Sequence, residues 1–473
     1  MNGASKPKTS VGLALLNLSA WIRQQPWLQV MYRRFPAAWR IGLSETMASR
    51  VRQQVRFQRT SNWGRAGTPT TLLQADAAAG ATFGEKAGVN VFAYVRGQFG
   101  LAESARAYTR ALLAEGYPVA VFDIALDLPH GMGDTSLDPY VGTDTPYDIN
   151  LIFVNPDYLE GAIASIGRER LGGRHTIACW FWELEVFPEE WLPALQKVDE
   201  IMVSSGFIRG IVKPVTDKPI LHVPLPVGEM EDSGLIRSDF GLEDDAFIFL
   251  NSFDFNSHLA RKNPYAAIDA FRQAFPDNRA GVRLLIKSSN GHRHPEMLRV
   301  LLNAVASDPR IMVRDDVIDR GDMQALQRCA DAYISLHRSE GFGLGLAECM
   351  RLGKPVIATA WSGNMEYMTP DNSCLVDYRL IPVNEGEYLH HAGQHWADPV
   401  VGQAAAYMRR LVEDREFAAR IGARAASDIR ERLSPHVAAE RIIRRLDMLK
   451  THPIVASTFV ESEKPPASLE GHI

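Results

Sequence analysis

The sequence, 473 residues long, lacks several features that would place it in a special class. It has four cysteines, Cys179, Cys329, Cys349 and Cys374, whose spacing fits neither a zinc site nor a small disulfide scaffold. A reducing compartment is the simplest expectation. No stretch approaches the roughly 18 uninterrupted apolar residues of a spanning helix, so the chain reads as soluble or peripheral. The Gly-x-Gly-x-x-Gly fingerprint of dinucleotide sites is missing, and no repeat of solenoid period is visible. The histidines gather only as His292 with His294 and as His390, His391 and His395, in polar segments that read as surface rather than metal ligands. What is present, 46% hydrophobic and 9% aromatic residues with a net charge of −5, is ordinary globular composition and excludes a disordered or fibrous chain. At roughly 100 to 200 residues per domain, two or three domains are expected.

The small net charge hides an asymmetry. Residues 1–65 hold eleven basic side chains, from Lys6 to Arg65, against one acid, Glu45, so this block carries +10. Trp21, Ile22, Trp27, Phe35 and Trp39 are interleaved with the charges. One reading lays the block on an anionic membrane surface with its aromatics at headgroup depth. The other makes it a basic helical extension packed on the body of the chain. A secretory signal is a weaker third reading, because residues 11–22 have a suitable length but no small-residue cleavage site follows them.

After a Gly- and Ala-rich joint at 77–88, short apolar runs alternate with longer amphipathic segments, the pattern of a parallel sheet with crossover helices. Strands are expected at 89–95, 119–124, 150–154, 176–181, 200–203 and 220–223. A Pro-, Gly- and acid-rich stretch at 224–245 reads as a linker, and a second set of strands follows at 247–253, 282–287, 311–313, 332–336, 355–359 and 374–376. Apolar residues at three- and four-residue steps beyond Trp396 predict helices, with Ser434-Pro435 opening the last. The expected organisation is a basic helical extension over 1–87, doubly wound units over 88–226 and 227–395, C-terminal helices over 396–450, and a disordered tail over 451–473.

The most informative stretch runs Ser339-Glu340-Gly341-Phe342-Gly343-Leu344-Gly345-Leu346-Ala347-Glu348. It follows an expected strand and leads into a helix, so it sits where ligands bind in an open sheet. Its glycines let backbone approach a ligand, and helix N-terminal N–H groups favour a phosphate. Glu340 and Glu348, eight residues apart, can hydrogen-bond the hydroxyls of a sugar and a ribose. After them come Gly353-Lys354-Pro355-Val356-Ile357-Ala358 and Ser362-Gly363-Asn364-Met365-Glu366.

These motifs, in this order, resemble the donor site of the retaining GT-B glycosyltransferases of family 4, over residues 245–380 closely and over the first unit more loosely. The resemblance implies that Glu348 holds the nucleotide ribose. It implies that Glu340 contacts the donor sugar and steadies charge at the anomeric carbon, with Gly341, Phe342, Gly343 and Leu344 against sugar and diphosphate. Family members also bind the diphosphate with an Arg and a Lys on the loop after the first donor strand. Lys262, before Asn263-Pro264, matches that lysine; Ser257 stands where the Arg is usual, and Arg261 is the substitute. A departing diphosphate needs such positive charge, since these enzymes often lack a metal. No Asp-x-Asp triplet occurs, which disfavours a metal-dependent GT-A mechanism.

In the first unit, Gly97-Gln98-Phe99-Gly100 forms a Gly-x-x-Gly turn between a strand and an amphipathic helix, and under this reading Gly97 and Gly100 face the donor phosphates or the acceptor. A dinucleotide site is the alternative there, with Asp123 ending the second strand, but the spacing is wrong for it. Farther on, Trp180-Phe181-Trp182-Glu183-Leu184-Glu185-Val186-Phe187-Pro188 is unusually aromatic and resembles a Trp-Glu-x-x-x-Phe-Pro pattern of a bacterial subset of the family. Aromatic faces suit sugars, and a carboxylate at a strand end can orient a hydroxyl or take its proton. Glu183 is therefore the acceptor-side catalytic candidate, with Trp182 and Glu185 as acceptor contacts. The plain alternative is that Trp180 and Trp182 are packing residues.

The expectation is thus an α/β protein of GT-B type, two Rossmann-like units facing a cleft, that moves a hexose from a nucleotide diphosphate sugar to a glycan or lipid-linked acceptor. A sugar-nucleotide epimerase or phosphorylase on the same frame, or a non-catalytic glycan- or nucleotide-binding protein, are the alternatives. No metal or other cofactor and no nucleic-acid partner is expected. The location expected is cytoplasmic, with possible attachment to the inner face of the membrane through residues 1–65.

Overall fold

The structure, a computed structural model, describes residues 11–25, 52–64, 87–125, 131–277 and 281–451. The expected tail beyond Thr451 and most of the expected joint at 77–88 lie outside the described residues, as does the middle of the basic block. The chain divides into two compact units.

The smaller unit is built on a six-stranded parallel sheet, β1 (Val89–Ala93), β2 (Val119–Asp123), β3 (Ile149–Ile152), β4 (His175–Cys179), β5 (Glu200–Val203) and β6 (Ile220–His222), in the order β2-β1-β3-β4-β5-β6. Each expected strand is found, within a few residues at its ends. Strands β1, β3 and β5 are buried along their whole length, which is why they read as unbroken apolar runs. The last helix among the described residues, Pro435–Thr451, belongs to this unit. It packs Ala438, Ala439, Ile442 and Leu446 into the interior beside helix Gly100–Ala114, and Arg445 grips the buried Glu200 with both carboxylate oxygens in reach.

The larger unit comprises Val227–Ser434, the short segment Trp182–Val186 and the described N-terminal residues. Its sheet is β7 (Phe247–Asp254), β8 (Val282–Ser289), β9 (Ile311–Asp315), β10 (Ala332–Ser335), β11 (Val356–Thr359) and β12 (Cys374–Val376), all parallel, in the order β12-β11-β10-β7-β8-β9. This is a doubly wound order in which strands are added to one side from β7 to β9 and to the other from β10 to β12, and the crevice at the switch point between β7 and β10 is where such sheets bind ligands. Helices Pro264–Ala274 and Val401–Glu413 cover one face through Ala267, Phe271, Ala404 and Met408. An antiparallel hairpin follows, β13 (Tyr378–Pro382) and β14 (His395–Pro399), which the sequence pattern does not suggest. Strand β13 is half exposed and ends in proline, so it carries no clear apolar alternation.

Helix Val11–Gln24 lies on helix Pro295–Val305, with Leu13 and Ala20 buried and Asn17 exchanging hydrogen bonds of 2.8 and 2.9 Å with Asn303. The described parts of the basic extension therefore pack on the larger unit. All four cysteines are buried and unpaired.

Candidate active site

The loops after β7 and β10 leave adjacent strands at the switch point. After β7 the chain makes a short 3-10 turn, Phe255–Ser257, and one turn of helix, Leu259–Lys262, closed by Asn263 at φ 48°. The Asn263 side chain donates to the Leu336 carbonyl at 3.0 Å, tying this loop to the end of β10. Pro264 then opens the next helix at the position where its missing N–H costs nothing. Adjacent residues on a regular element would point apart, yet Arg261 and Lys262 both reach Glu340. Lys262 Nζ lies 2.5 Å from Oε1 and Arg261 Nη1 3.2 Å from Oε2, and Arg261 also donates to the Ser339 carbonyl at 2.9 Å. Ser257, at the place where an Arg is usual, remains in the 3-10 turn.

The backbone under Glu340 is held by the loop after β11. Glu340 N–H donates to Ser362 Oγ at 2.8 Å and Gly363 N–H donates to the Glu340 carbonyl at 2.8 Å. A Cβ on Gly363 would stand 1.9 Å from the Gly341 carbonyl oxygen, so only glycine permits this approach. Gly343, at φ 86°, turns the chain into helix Leu344–Arg351, and Tyr367 donates to the Gly343 carbonyl at 2.7 Å while its ring lies tilted against Phe342 with centroids 5.1 Å apart. The Gly-Asn-x-Glu motif thus serves as the floor of the Glu340 loop.

Electrostatics follow from this packing. Burial alone would raise the Glu340 pKa, but Lys262, Arg261 and His337 more than reverse that and hold it at about 2. Burial pulls the Lys262 pKa down, opposed by Glu340. Arg261, also buried, is pushed up by Glu183 and Glu340 against the cost of desolvation. His337, which no sequence pattern singles out, is fully buried between Ser335 Oγ and Asn364 Oδ1, both 3.1 Å from its ring nitrogens. Burial, with Lys262 nearby, lowers its pKa from the ordinary histidine value.

Glu348 sits one helix farther in and is 5% exposed. Its Oε2 accepts from Gln327 Nε2 at 2.9 Å and its Oε1 lies 2.8 Å from Arg320 Nη2, so both partners come from helix Arg320–Cys329. Neither had been marked by the sequence.

The segment Trp182–Val186 joins this unit through the hairpin. Glu183 Oε2 accepts from Tyr388 at 2.6 Å, its Oε1 lies 3.7 Å from Arg261, and its carbonyl accepts from Ser339 Oγ. Gln394 exchanges two 3.0 Å hydrogen bonds with the Val186 backbone. Trp182 is buried against Tyr388 and His390 and donates to the Val186 carbonyl. Glu185 is partly exposed, near the Tyr378 phenol. Tyr388 lies in a polar segment without periodicity, so only the fold shows it beside Glu183. Among the described residues, no group of three or more His, Cys, Asp or Glu side chains is placed to hold a metal ion.

In the smaller unit, Gly97 occupies the turn after β1 and Gly100 starts helix Gly100–Ala114. The buried Arg106 braces this turn by donating to the Val95 and Gly97 carbonyls at 2.8 and 2.6 Å. Asp123, weighed as a ribose ligand, is paired with Arg96 at 3.0 Å.

Residues 255–388 match the family model described as Glycosyl transferases group 1, a span that holds Arg261, Lys262, Glu340, Glu348 and Tyr388. A trehalose synthase of Rubrobacter xylanophilus is 25% identical over 205 residues, 42% of this chain and 43% of the relative. The chain thus spans less than half the length of that curated relative. Among solved structures, sucrose-phosphate synthase from Thermosynechococcus elongatus superposes with a TM-score of 0.54 at 15% identity, over 77% of this chain and 99% of that one. HepE from Anabaena, in complex with UDP-glucose, gives 0.53 at 16% identity, over 76% and 100%. The two parallel six-stranded units are those of the GT-B glycosyltransferase fold.

Proposed function

We propose that the protein is a glycosyltransferase that moves a hexose from a nucleotide diphosphate sugar to a glycan or lipid-linked saccharide, with retention of configuration, in polysaccharide or lipopolysaccharide synthesis. The observation that carries this reading is the convergence of Arg261 and Lys262 on Glu340 at the carboxyl ends of neighbouring strands. A diphosphate gathers negative charge as its bond to the anomeric carbon opens, and cations fixed in a water-poor site stabilise that charge without reorganising. Lys262 and Arg261 supply it, so this reading requires no metal. Glu340, ionised throughout the working pH range, faces the positive charge that develops on the sugar. Glu348 accepts the ribose hydroxyls, and Gly341 to Leu344 lie along sugar and diphosphate. The acceptor oxygen bonds to the anomeric carbon as the bond to the diphosphate breaks, and its proton passes to the departing phosphate on the same face. Glu183 orients the acceptor, with Trp182 and Glu185 beside it. The group 1 match supports the donor class, and the names of the trehalose and sucrose-phosphate synthases are in keeping with a sugar donor. The basic block over 1–65 completes the reading by holding the enzyme on the inner face of an anionic membrane, where a lipid-linked acceptor is found.

A panel of UDP- and GDP-sugars tests this. Consumption of one of them by transfer or hydrolysis, lost in Lys262→Ala and Glu340→Gln with the circular dichroism spectrum intact, is the expected result. Release of an epimerised sugar nucleotide, or consumption of none, overturns it.

A further inference from the structure

We propose that residues 52–64 are a positioning arm for the nucleotide end of the donor site, acting through Arg320 on Glu348. The inference rests on the reading of Glu348 as a ribose ligand. The arm holds both ends of one short stretch, 316–322. At the first end Arg59 Nη2 lies 3.1 Å from Asp316 Oδ2 and donates to the Val317 carbonyl at 2.7 Å. At the second, Gly64 N–H donates to Asp322 Oδ2 at 3.3 Å. Phe57, just before the first anchor, and Trp63, just before the second, close on Phe240, with ring centroids 5.5 and 5.1 Å away, which fixes the arm as a hydrophobic clasp.

The stretch so held carries Arg320, the residue 2.8 Å from Glu348 Oε1, at the start of the helix that also presents Gln327 to Oε2. Val317 and Asp319 are exposed, and the chain has no regular structure from Asp316 to Asp319. Besides the arm, this stretch is tied at its start by the Asp316 N–H, which donates to the Ser288 carbonyl at 3.1 Å, and at its end by the helix, so the arm supplies the contacts to Val317 and a second hold on Asp316 and Asp322. A carboxylate that must accept two ribose hydroxyls in one geometry depends on its own partners being fixed, and a small displacement of Arg320 turns it. The arm does not fill a core space at Arg59. That side chain is 48% exposed and lines a cavity of about 510 Å³ with Arg56, His292 and Asp315, and its guanidinium lies 5.5 Å from the centroid of the Trp63 ring, a contact that a lysine can keep in part.

The experiment is a double-mutant cycle on the full chain, read by calorimetric dissociation constants for UDP and GDP and by melting temperature. Arg59→Ala is expected to weaken binding of the preferred nucleotide about tenfold, Arg59→Lys to restore most of it, and Arg59→Ala to add less than about twofold in an Arg320→Ala background. Equal effects of Arg59→Ala in both backgrounds, or none in the wild type, overturn the arm. Glu348→Ala separates this from the donor reading. Unchanged nucleotide binding there overturns the donor reading, and the arm proposal with it. Weakened binding there with normal binding in Arg59→Ala overturns the arm alone.

Discussion

Lys262 Nζ and Glu340 Oε1 lie 2.5 Å apart although 78 positions separate them in the sequence. The strands that deliver them, β7 and β10, are paired neighbours, so the contact is local in the sheet. Arg261 takes the other oxygen, and the carboxylate holds two like charges together in a buried place. The arrangement stores positive charge ready for an anion that displaces Glu340 from its partners.

The first prediction separates the two cations. Lys262→Ala leaves Glu340 paired with Arg261, so the fold survives while turnover of the donor falls by about 10² to 10³. Arg261→Ala removes contacts to Ser339, Glu340 and Glu183 at once, and breaking such a buried pair costs about 3–5 kcal/mol. Thermal melts and steady-state donor hydrolysis distinguish the outcomes. Full turnover in Lys262→Ala would remove the lysine from the mechanism.

The second concerns acid. Glu340 is held at about 2, below its ordinary 4.5, so the folded protein binds this proton more weakly than the unfolded chain does. Its stabilisation is complete above about 4.5, fades as pH falls towards 2 and is gone below, on the order of 3 kcal/mol in all. Melting temperatures from pH 7 to pH 2.5 should therefore fall less steeply in Glu340→Gln than in the wild type across the acid part of that range. Parallel curves would mean that the cations do not hold the carboxylate ionised.

The third is steric. A methyl on Gly363 meets the Gly341 carbonyl at 1.9 Å, backbone against backbone, so Gly363→Ala is expected to cost about 1–3 kcal/mol and to displace the Glu340 loop. Activity should fall with stability. Gly161→Ala is the control: it lies inside helix Pro156–Ile166 with nothing within 4 Å of the added methyl, and should gain about 0.5–1 kcal/mol. A tolerated Gly363→Ala would show that the floor loop yields.

What could be read in advance follows from which interactions are local. The twelve parallel strands read as short apolar runs, several of them buried along their whole length, and Glu340, Glu348 and Lys262 lie in motifs that keep their spacing wherever the fold goes. Tyr388, Gln394 and Trp396 come from a hairpin whose strands alternate too weakly to be seen, so the contact of Tyr388 with Glu183 was hidden. His337 and Arg320 were hidden for another reason. Each is chosen by a partner from a different part of the chain, Asn364 or Glu348, and a single residue of common type leaves no periodic trace.

The last prediction takes up the basic block. On helix Val11–Gln24, Leu13 and Ala20 face inward, while Leu18 and Trp21 are 48% and 52% exposed. An exposed Trp beside a Leu, within a segment of +10, presents the pairing of apolar anchor and positive charge that holds a helix at an anionic interface. Replacing both by Ser removes the anchor and leaves the buried face and the charges in place. Binding to phosphatidylserine-containing vesicles at low salt should drop about tenfold, and the remainder should vanish as the Debye length shortens at high salt. Donor hydrolysis in solution should not change, since neither side chain touches the Glu340 site. Vesicle binding equal to that of the wild type would assign the block to packing on the larger unit alone.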